Sequence, residues 1–166
     1  MEIRCAAPAD LEILWDRNIT ENPDDERWVR WKREFIGYNR SGKARTFCVV
    51  LNGCPVGEGT LLLSSDCKAV AGRKELCNDR DIANINALRI QKAYEGKGYI
   101  AKLMKEIERY AVCNGISKLT IGVAANETRN LAIYLHWGFT EFLSYEIQDG
   151  QLVLYFEKNL HHNGLV

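Results

Sequence analysis

The sequence predicts a mixed α/β domain: a mostly antiparallel sheet of six to seven strands, with one parallel pair and helices on both faces. Three observations carry this expectation. Asn52-Gly53 and Asp149-Gly150 each separate two runs of strand-forming residues and mark hairpins. An apolar strand over 82–90 leads through a glycine turn into an amphipathic helix over 96–113, then into a second apolar strand, Lys118 to Val123. Two strands joined by a helical crossover are parallel neighbours.

Taken in order, Glu2 to Ala6 is a short opening strand. Pro8-Ala9-Asp10 starts a helix through Leu11, Leu14 and Trp15, with Pro and Asp in their preferred first-turn positions. Pro23-Asp24-Asp25-Glu26 starts a second helix, where Trp28, Trp31, Lys32 and Phe35 share one face, and Ser41-Gly42-Lys43 ends it. Thr46–Leu51 and Val56–Leu63 form the first hairpin, and Asp66 to Asp81 is a polar loop or short helix. The helix over 96–113 carries an apolar stripe of Ile100, Leu103, Met104, Ile107 and Ala111. Lys102 and Glu106 are spaced to pair on its outside, and Asn114-Gly115 caps it. Glu127 to Trp137 is a helix stopped by Gly138, and Glu141–Gln148 with Gln151–Phe156 is the last hairpin. No repeat or linker interrupts residues 1–166, which read as one domain.

Composition excludes several classes. Lys+Arg and Asp+Glu both number 22, so the formal net charge is zero, which argues against general affinity for nucleic acid or an anionic membrane. No apolar run approaches the ~20 residues of a membrane span. Met1-Glu2-Ile3-Arg4 lacks the apolar core of a signal peptide, so a cytoplasmic location is expected. The six cysteines show no Cys-x-x-Cys spacing and read as free thiols. With His136, His161 and His162 they do not complete a zinc pattern, and no metal is expected.

The turn Tyr94-Glu95-Gly96-Lys97-Gly98 is the richest feature. A helix start exposes unpaired N–H groups and the positive dipole end, and glycine lets the backbone approach an anion closely. The nucleoside-triphosphate pattern Gly-x-x-x-x-Gly-Lys-Ser/Thr is absent, and Gly57-Glu58-Gly59 lacks the third glycine of a dinucleotide fingerprint. Together with Tyr134 four residues before Gly138-Phe139, the turn at Glu95–Ile100 resembles the GNAT superfamily of acyl-CoA N-acyltransferases. That family's turn is Arg/Gln-x-x-Gly-x-Gly/Ala. Here Glu95 stands where Arg or Gln is usual and Ile100 where Gly or Ala is usual. Arg89, Lys92 and Lys97 are near enough in sequence to offset the Glu95 charge.

The resemblance implies a GNAT-like sheet and acetyl transfer from acetyl-CoA to a primary amine by direct attack, without a metal. It implies cofactor contacts at Leu88, Arg89, Ile90, Glu95, Gly96, Lys97, Gly98, Tyr99 and Ile100. Backbone amides at Leu88-Arg89-Ile90 would face the oxyanion. Either Asn126 or Asn130 could bond the pantetheine amides, with simple helix capping by Asn126 the other reading, and Tyr134 would protonate the departing thiolate. The base is open among Glu58, Asp66, Asp81 and ordered water; Glu58 is preferred because flanking glycines leave space beside it. An acidic run, Glu21, Asp24, Asp25 and Glu26, followed by Trp28 and Trp31, would rim an acceptor pocket between the first two helices and the last hairpin. The expected acceptor is a small-molecule amine, polyamine-like or aminoglycoside-like. Protein N-terminal or lysine acetylation, a non-catalytic acyl-CoA-binding module, and a homodimer all remain open.

Overall fold

A computed structural model describes residues 1–160, so His161 and His162 lie outside the described residues. The elements are β1 (Glu2–Cys5), α1 (Pro8–Glu21), α2 (Arg27–Ser41), β2 (Ala44–Leu51), β3 (Cys54–Leu62), β4 (Ile82–Ile90), α3 (Tyr99–Cys113), β5 (Lys118–Ala124), α4 (Thr128–His136), β6 (Glu141–Gln148) and β7 (Gln151–Asn159). The predicted element order holds. The strands form one seven-stranded sheet in the order β1-β2-β3-β4-β5-β7-β6. Ile82–Ile85 of β4 lie opposite Lys118–Ile121 of β5 in the parallel pair. β1 with β2, β5 with β7, and β6 with β7 are antiparallel.

Both hairpins turn as their dipeptides dictate. Asn52 and Gly53 have φ of 49° and 77°, and Asp149 and Gly150 have 48° and 77°. Two consecutive positive φ values are the signature of the turn whose twist matches flanking strands.

Three local expectations are corrected. The third helix begins at Tyr99 rather than residue 96, after a 3-10 turn at Lys92–Tyr94. Gly96 (φ 72°) and Gly98 (φ 76°) are left-handed, which is incompatible with a right-handed helix. Glu106 bonds Arg109 rather than pairing with Lys102. The second helix begins at Arg27, because the Asp25 carboxylate accepts the Arg27 N–H at 3.1 Å and holds the preceding segment as a turn.

By its internal contacts the chain divides into two compact units. The first comprises Met1–Leu61 with Ala87–Arg109. Its core holds Trp15, Phe47, Val49, Leu61, Leu103 and Ile107, all nearly inaccessible. Trp15 packs on Phe35 with ring centres 5.2 Å apart, which fastens α1 to α2. At the start of α1, Asp10 accepts the Ala7 N–H at 2.8 Å and pairs with Arg4 of β1, so its carboxyl is held below the usual range. Ala87, inside β4, adopts φ 52°. A left-handed alanine costs about 1–2 kcal/mol, so the strand is kinked there against its own preference.

The second unit comprises Leu62–Asn86 and the chain from Tyr110 onward. Its core includes Leu62, Leu76, Ile85, Leu119 and Phe139. The loop between β3 and β4 is tied inward by a buried polar chain: Asn84 donates to the Thr120 hydroxyl at 3.0 Å, which donates to the Leu76 carbonyl at 2.7 Å. All six cysteines are free thiols; Cys48, Cys67 and Cys77 are buried, and burial pushes the Cys48 thiol up to about 12. Among the described residues, no three His, Cys, Asp or Glu side chains converge as a metal cage, and no helix is long and apolar enough to cross a membrane.

Gly122 of β5 lies under the Tyr155 ring; a Cβ there would sit 2.8 Å from Tyr155 Cε1. The ring is buried and capped by the Arg73 guanidinium at 4.9 Å, so it has little room to retreat. Gly122→Ala should therefore lose about 1–3 kcal/mol of stability in urea unfolding. In a Tyr155→Leu background the same alanine should cost far less.

Candidate functional site

A cavity of about 210 Å³ opens in the first unit, lined from α1, α2, β3 and the end of β4. Leu14, Arg17, Asn18 and Glu21 recur at helical spacing, so one face of α1 delivers all four to it. From α2 only Trp28 contributes. This lining holds no residue of the last hairpin, which belongs to the second unit.

Glu58 of β3 is the central group, and it is only 1% exposed. The solvent-facing orientation open to a strand glutamate is thus ruled out. Its Oε1 accepts from Asn18 Nδ2 at 2.8 Å and from Arg89 Nε at 3.1 Å. The Arg89 guanidinium carbon lies 4.8 Å from the ring centres of both Trp15 and Trp28. A buried carboxylate is tolerable only with a partner, and a guanidinium on aromatic faces is a desolvated cation still well solvated by its neighbours. One atom on each side stays unsatisfied: Glu58 Oε2 and Arg89 Nη2 are buried without a hydrogen-bond partner. Arg17 braces the wall, donating to the Pro55 carbonyl at 2.8 Å and to the Gln91 side-chain oxygen.

The glycines around Glu58 do not leave empty space, which corrects the reason for preferring it. A Cβ on Gly57 would meet the Arg89 carbonyl at 3.0 Å, and one on Gly59 would meet Ile107 Cδ1 and Leu88 Cδ1 at 2.9 Å. They are small because β4 and α3 pack directly on them. Of the other carboxylates, Asp66 is exposed, and Asp81 is held low by its bond from Asn78 while its carbonyl anchors Ser117 and Lys118. Asp81 is therefore committed to structure. In the acidic run, Glu21 lines the cavity, Asp24 and Glu26 do not, and Asp25 is engaged by Arg27. Trp31 packs edge-on against Trp28 and is not part of the lining.

At the glycine turn, the first bond of α3 runs from the Lys102 N–H to the Gly98 carbonyl. The amides of Gly98, Tyr99, Ile100 and Ala101 thus precede the helix ladder and have no intrahelical acceptor. Nothing lies within 4 Å of where a Cβ would stand on Gly96 or Gly98. Glu95 is exposed and extended, and Lys97 Nζ lies 5.4 Å from the Tyr94 ring centre. This cradle, with open space and several free amides, fits a pyrophosphate. Ile100 is half-buried, in keeping with its place on the apolar stripe.

In the second unit, Tyr134 lies on α4 against Trp137 and Phe139, at ring separations of 5.9 and 6.5 Å. Burial first, then the Glu127 charge, pushes its hydroxyl up to about 12. No protein partner bonds that hydroxyl among the described residues. Asn126 is exposed and is not the helix cap; Glu127 holds that position without a side-chain cap bond. Asn130 donates to Glu127 at 3.1 Å. Sequence reasoning missed Asn18 and Arg17, and it set the Arg89 charge against Glu95, whereas the side chain pairs with Glu58. The i, i+3, i+4, i+7 row on α1 was the available signal for the first two.

A seven-stranded mixed sheet with one parallel pair is the fold that the resemblance implied. The Acetyltransferase (GNAT) family model matches residues 9–139, and the chain belongs to that family. A spermidine N-acetyltransferase chimera from Vibrio cholerae and hSSAT is similar in fold, with TM-score 0.70, 17% identity and 96% of each chain covered. A ribosomal-protein-alanine N-acetyltransferase from Brucella melitensis is similar at TM-score 0.71 and 18% identity, covering 96% of this chain and 100% of its own. The Salmonella typhimurium protein yncA, a putative acetyltransferase solved with its cofactor acetyl-CoA, is similar at TM-score 0.69 and 13% identity, covering 98% and 95%. No curated protein sequence matches the chain.

The Glu58–Arg89 pair generates a stability prediction. Arg89→Leu should strand the Glu58 charge and cost about 3–5 kcal/mol in denaturant unfolding. Adding Glu58→Gln to that variant should recover most of the loss. Equal instability of the single and double variants would mean that Arg89 acts by packing alone.

Proposed function

We propose that the protein transfers an acetyl group from acetyl-CoA to the primary amine of a small molecule. The cradle at Gly96–Ala101 carries this reading: two left-handed glycines, open space beside them and four amides ahead of the helix ladder, in a chain of the acetyltransferase family. When bound, the cofactor supplies an activated acetyl thioester. The amides of Gly98, Tyr99, Ile100 and Ala101 hold its pyrophosphate, and Lys97 adds positive charge. Amides of Leu88-Arg89-Ile90, beyond the kink at Ala87, stabilise charge on the carbonyl oxygen. Asn126 and Asn130 are assigned to the pantetheine amides.

Glu58 takes a proton from the acceptor, whose ammonium form cannot attack. The nitrogen then bonds to the carbonyl carbon and the carbon–sulfur bond breaks. Tyr134 donates a hydrogen bond to the departing sulfur, which takes up the nitrogen's second proton. Its hydroxyl, pushed up to about 12, keeps its proton throughout the neutral range. The same shift makes it a weak acid, so a hydrogen bond to developing sulfur charge is its main contribution. Six free thiols, three of them exposed, suit a reducing compartment such as the cytoplasm.

Thiol release from acetyl-CoA across a panel of amines tests the activity; no release above the amine-free rate with any of them would overturn it. Gly98→Asp should weaken coenzyme A binding at least tenfold by calorimetry, about 1.4 kcal/mol. Gly98→Asn carries similar left-handed strain without the charge and should lose less. Equal losses would remove the pyrophosphate from this turn. Tyr134→Phe should lower kcat by ~10-fold or more and leave coenzyme A affinity nearly unchanged. If chemistry limits turnover and kcat is unaltered, the ring serves packing only.

A further inference from the structure

Two cations and two carboxylates line the cavity of the first unit: Arg17 and Arg89, Glu21 and Glu58. The two guanidinium groups offset the two carboxylates, so the lining offers no net negative charge to a polycationic acceptor. The unsatisfied atoms are more specific still. Glu58 Oε1 has two donors while Oε2 has none, and Arg89 uses Nε on Glu58 while Nη2 has no acceptor. A carboxylate and a guanidinium side by side normally close as a fork of two parallel bonds. Here the fork is half closed, leaving one acceptor and one donor, both shielded from water, on two residues that line the cavity. An unsatisfied atom on a buried charged group costs more than the 1–3 kcal/mol of a neutral one, so this pair, with one such atom on each side, is suited to a ligand with a cation and an anion close together.

We propose that the acceptor is a small α-amino acid with an apolar side chain. Its carboxylate accepts from Arg89 Nη2, its ammonium group donates to Glu58 Oε2, and its side chain lies among Leu14, Trp28, Val56 and Ile90. The cavity of about 210 Å³ suits a single amino acid rather than an oligosaccharide or a protein chain. The binding claim stands on this geometry alone, and the acetylation claim rests on the function proposed above. The reaction balances. The ammonium group gives up two of its three protons and gains the carbonyl carbon, the carbon–sulfur bond breaks, and one proton ends on sulfur. The products are an N-acetylamino acid carboxylate, a free thiol and one released proton.

The test is isothermal titration of the whole protein, with and without coenzyme A. The ligands are L-leucine, L-methionine and L-phenylalanine, the methyl ester of each, and the matching amines without a carboxyl group. At least one free amino acid should bind tenfold or more tightly than its ester and its amine. Arg89→Lys keeps the charge but removes the fork and should shrink that preference severalfold. Equal or tighter binding of the esters or amines, or no binding of any amino acid at millimolar concentration, overturns the inference; the wild-type comparison needs no variant to fold. Selective amino-acid binding without thiol release would retain this inference and sink acetyl transfer. Thiol release equally efficient with amines lacking the carboxylate would do the reverse.

Discussion

A carboxylate removed from water must be met by a donor, and Glu58 imposes that requirement on the first unit. Its position in the middle of β3 is buried, so the compensating charge has to come from an adjacent element. Arg89 reaches it from β4, and Asn18 reaches it from α1. Arg89 in turn needs its faces covered, which Trp15 and Trp28 do. Four elements are thus held by one charge. The flanking glycines belong to the same arrangement, because any larger residue would push away the strand that carries Arg89. Removing the charge and its partner together is tolerable in such a site; removing one is not.

Much of the fold was legible because its signals are local. Asn52-Gly53 and Asp149-Gly150 specify their turns through left-handed backbone that few other residue pairs accept. The crossover from β4 through α3 to β5 follows from periodicity and length. The start of α3 was misplaced because glycines at a helix entry read as permissive residues, whereas these two are left-handed and exclude the helix. Pairing on the surface of α3 was also misjudged: both Lys102 and Arg109 can reach Glu106, and spacing does not choose between them.

The candidate site divides along the same line. The cradle at Gly96–Gly98 is contiguous and was visible in the chain. The environment of Glu58 was not, since its partners stand 40 and 31 residues away and only folding brings them together. The side chain of Arg89 was set against the nearby Glu95 for that reason, although its partner is Glu58. Asp81 illustrates the converse: chemically able to act as a base, it is occupied by Asn78 and by the start of β5.

The left-handed alanine in β4 also bears on how the molecule opens. Ile82–Asn86 belong to the second compact unit, and Ala87–Ile90 belong to the first. The division of the strand coincides with the residue whose backbone is strained. Amide protection in native proteins is lost in contiguous cooperative blocks rather than strand by strand. A single strand shared between two blocks has no common opening event. Where the two units open as such blocks, the halves of this strand exchange with solvent at separate rates, each set by the unit that holds it.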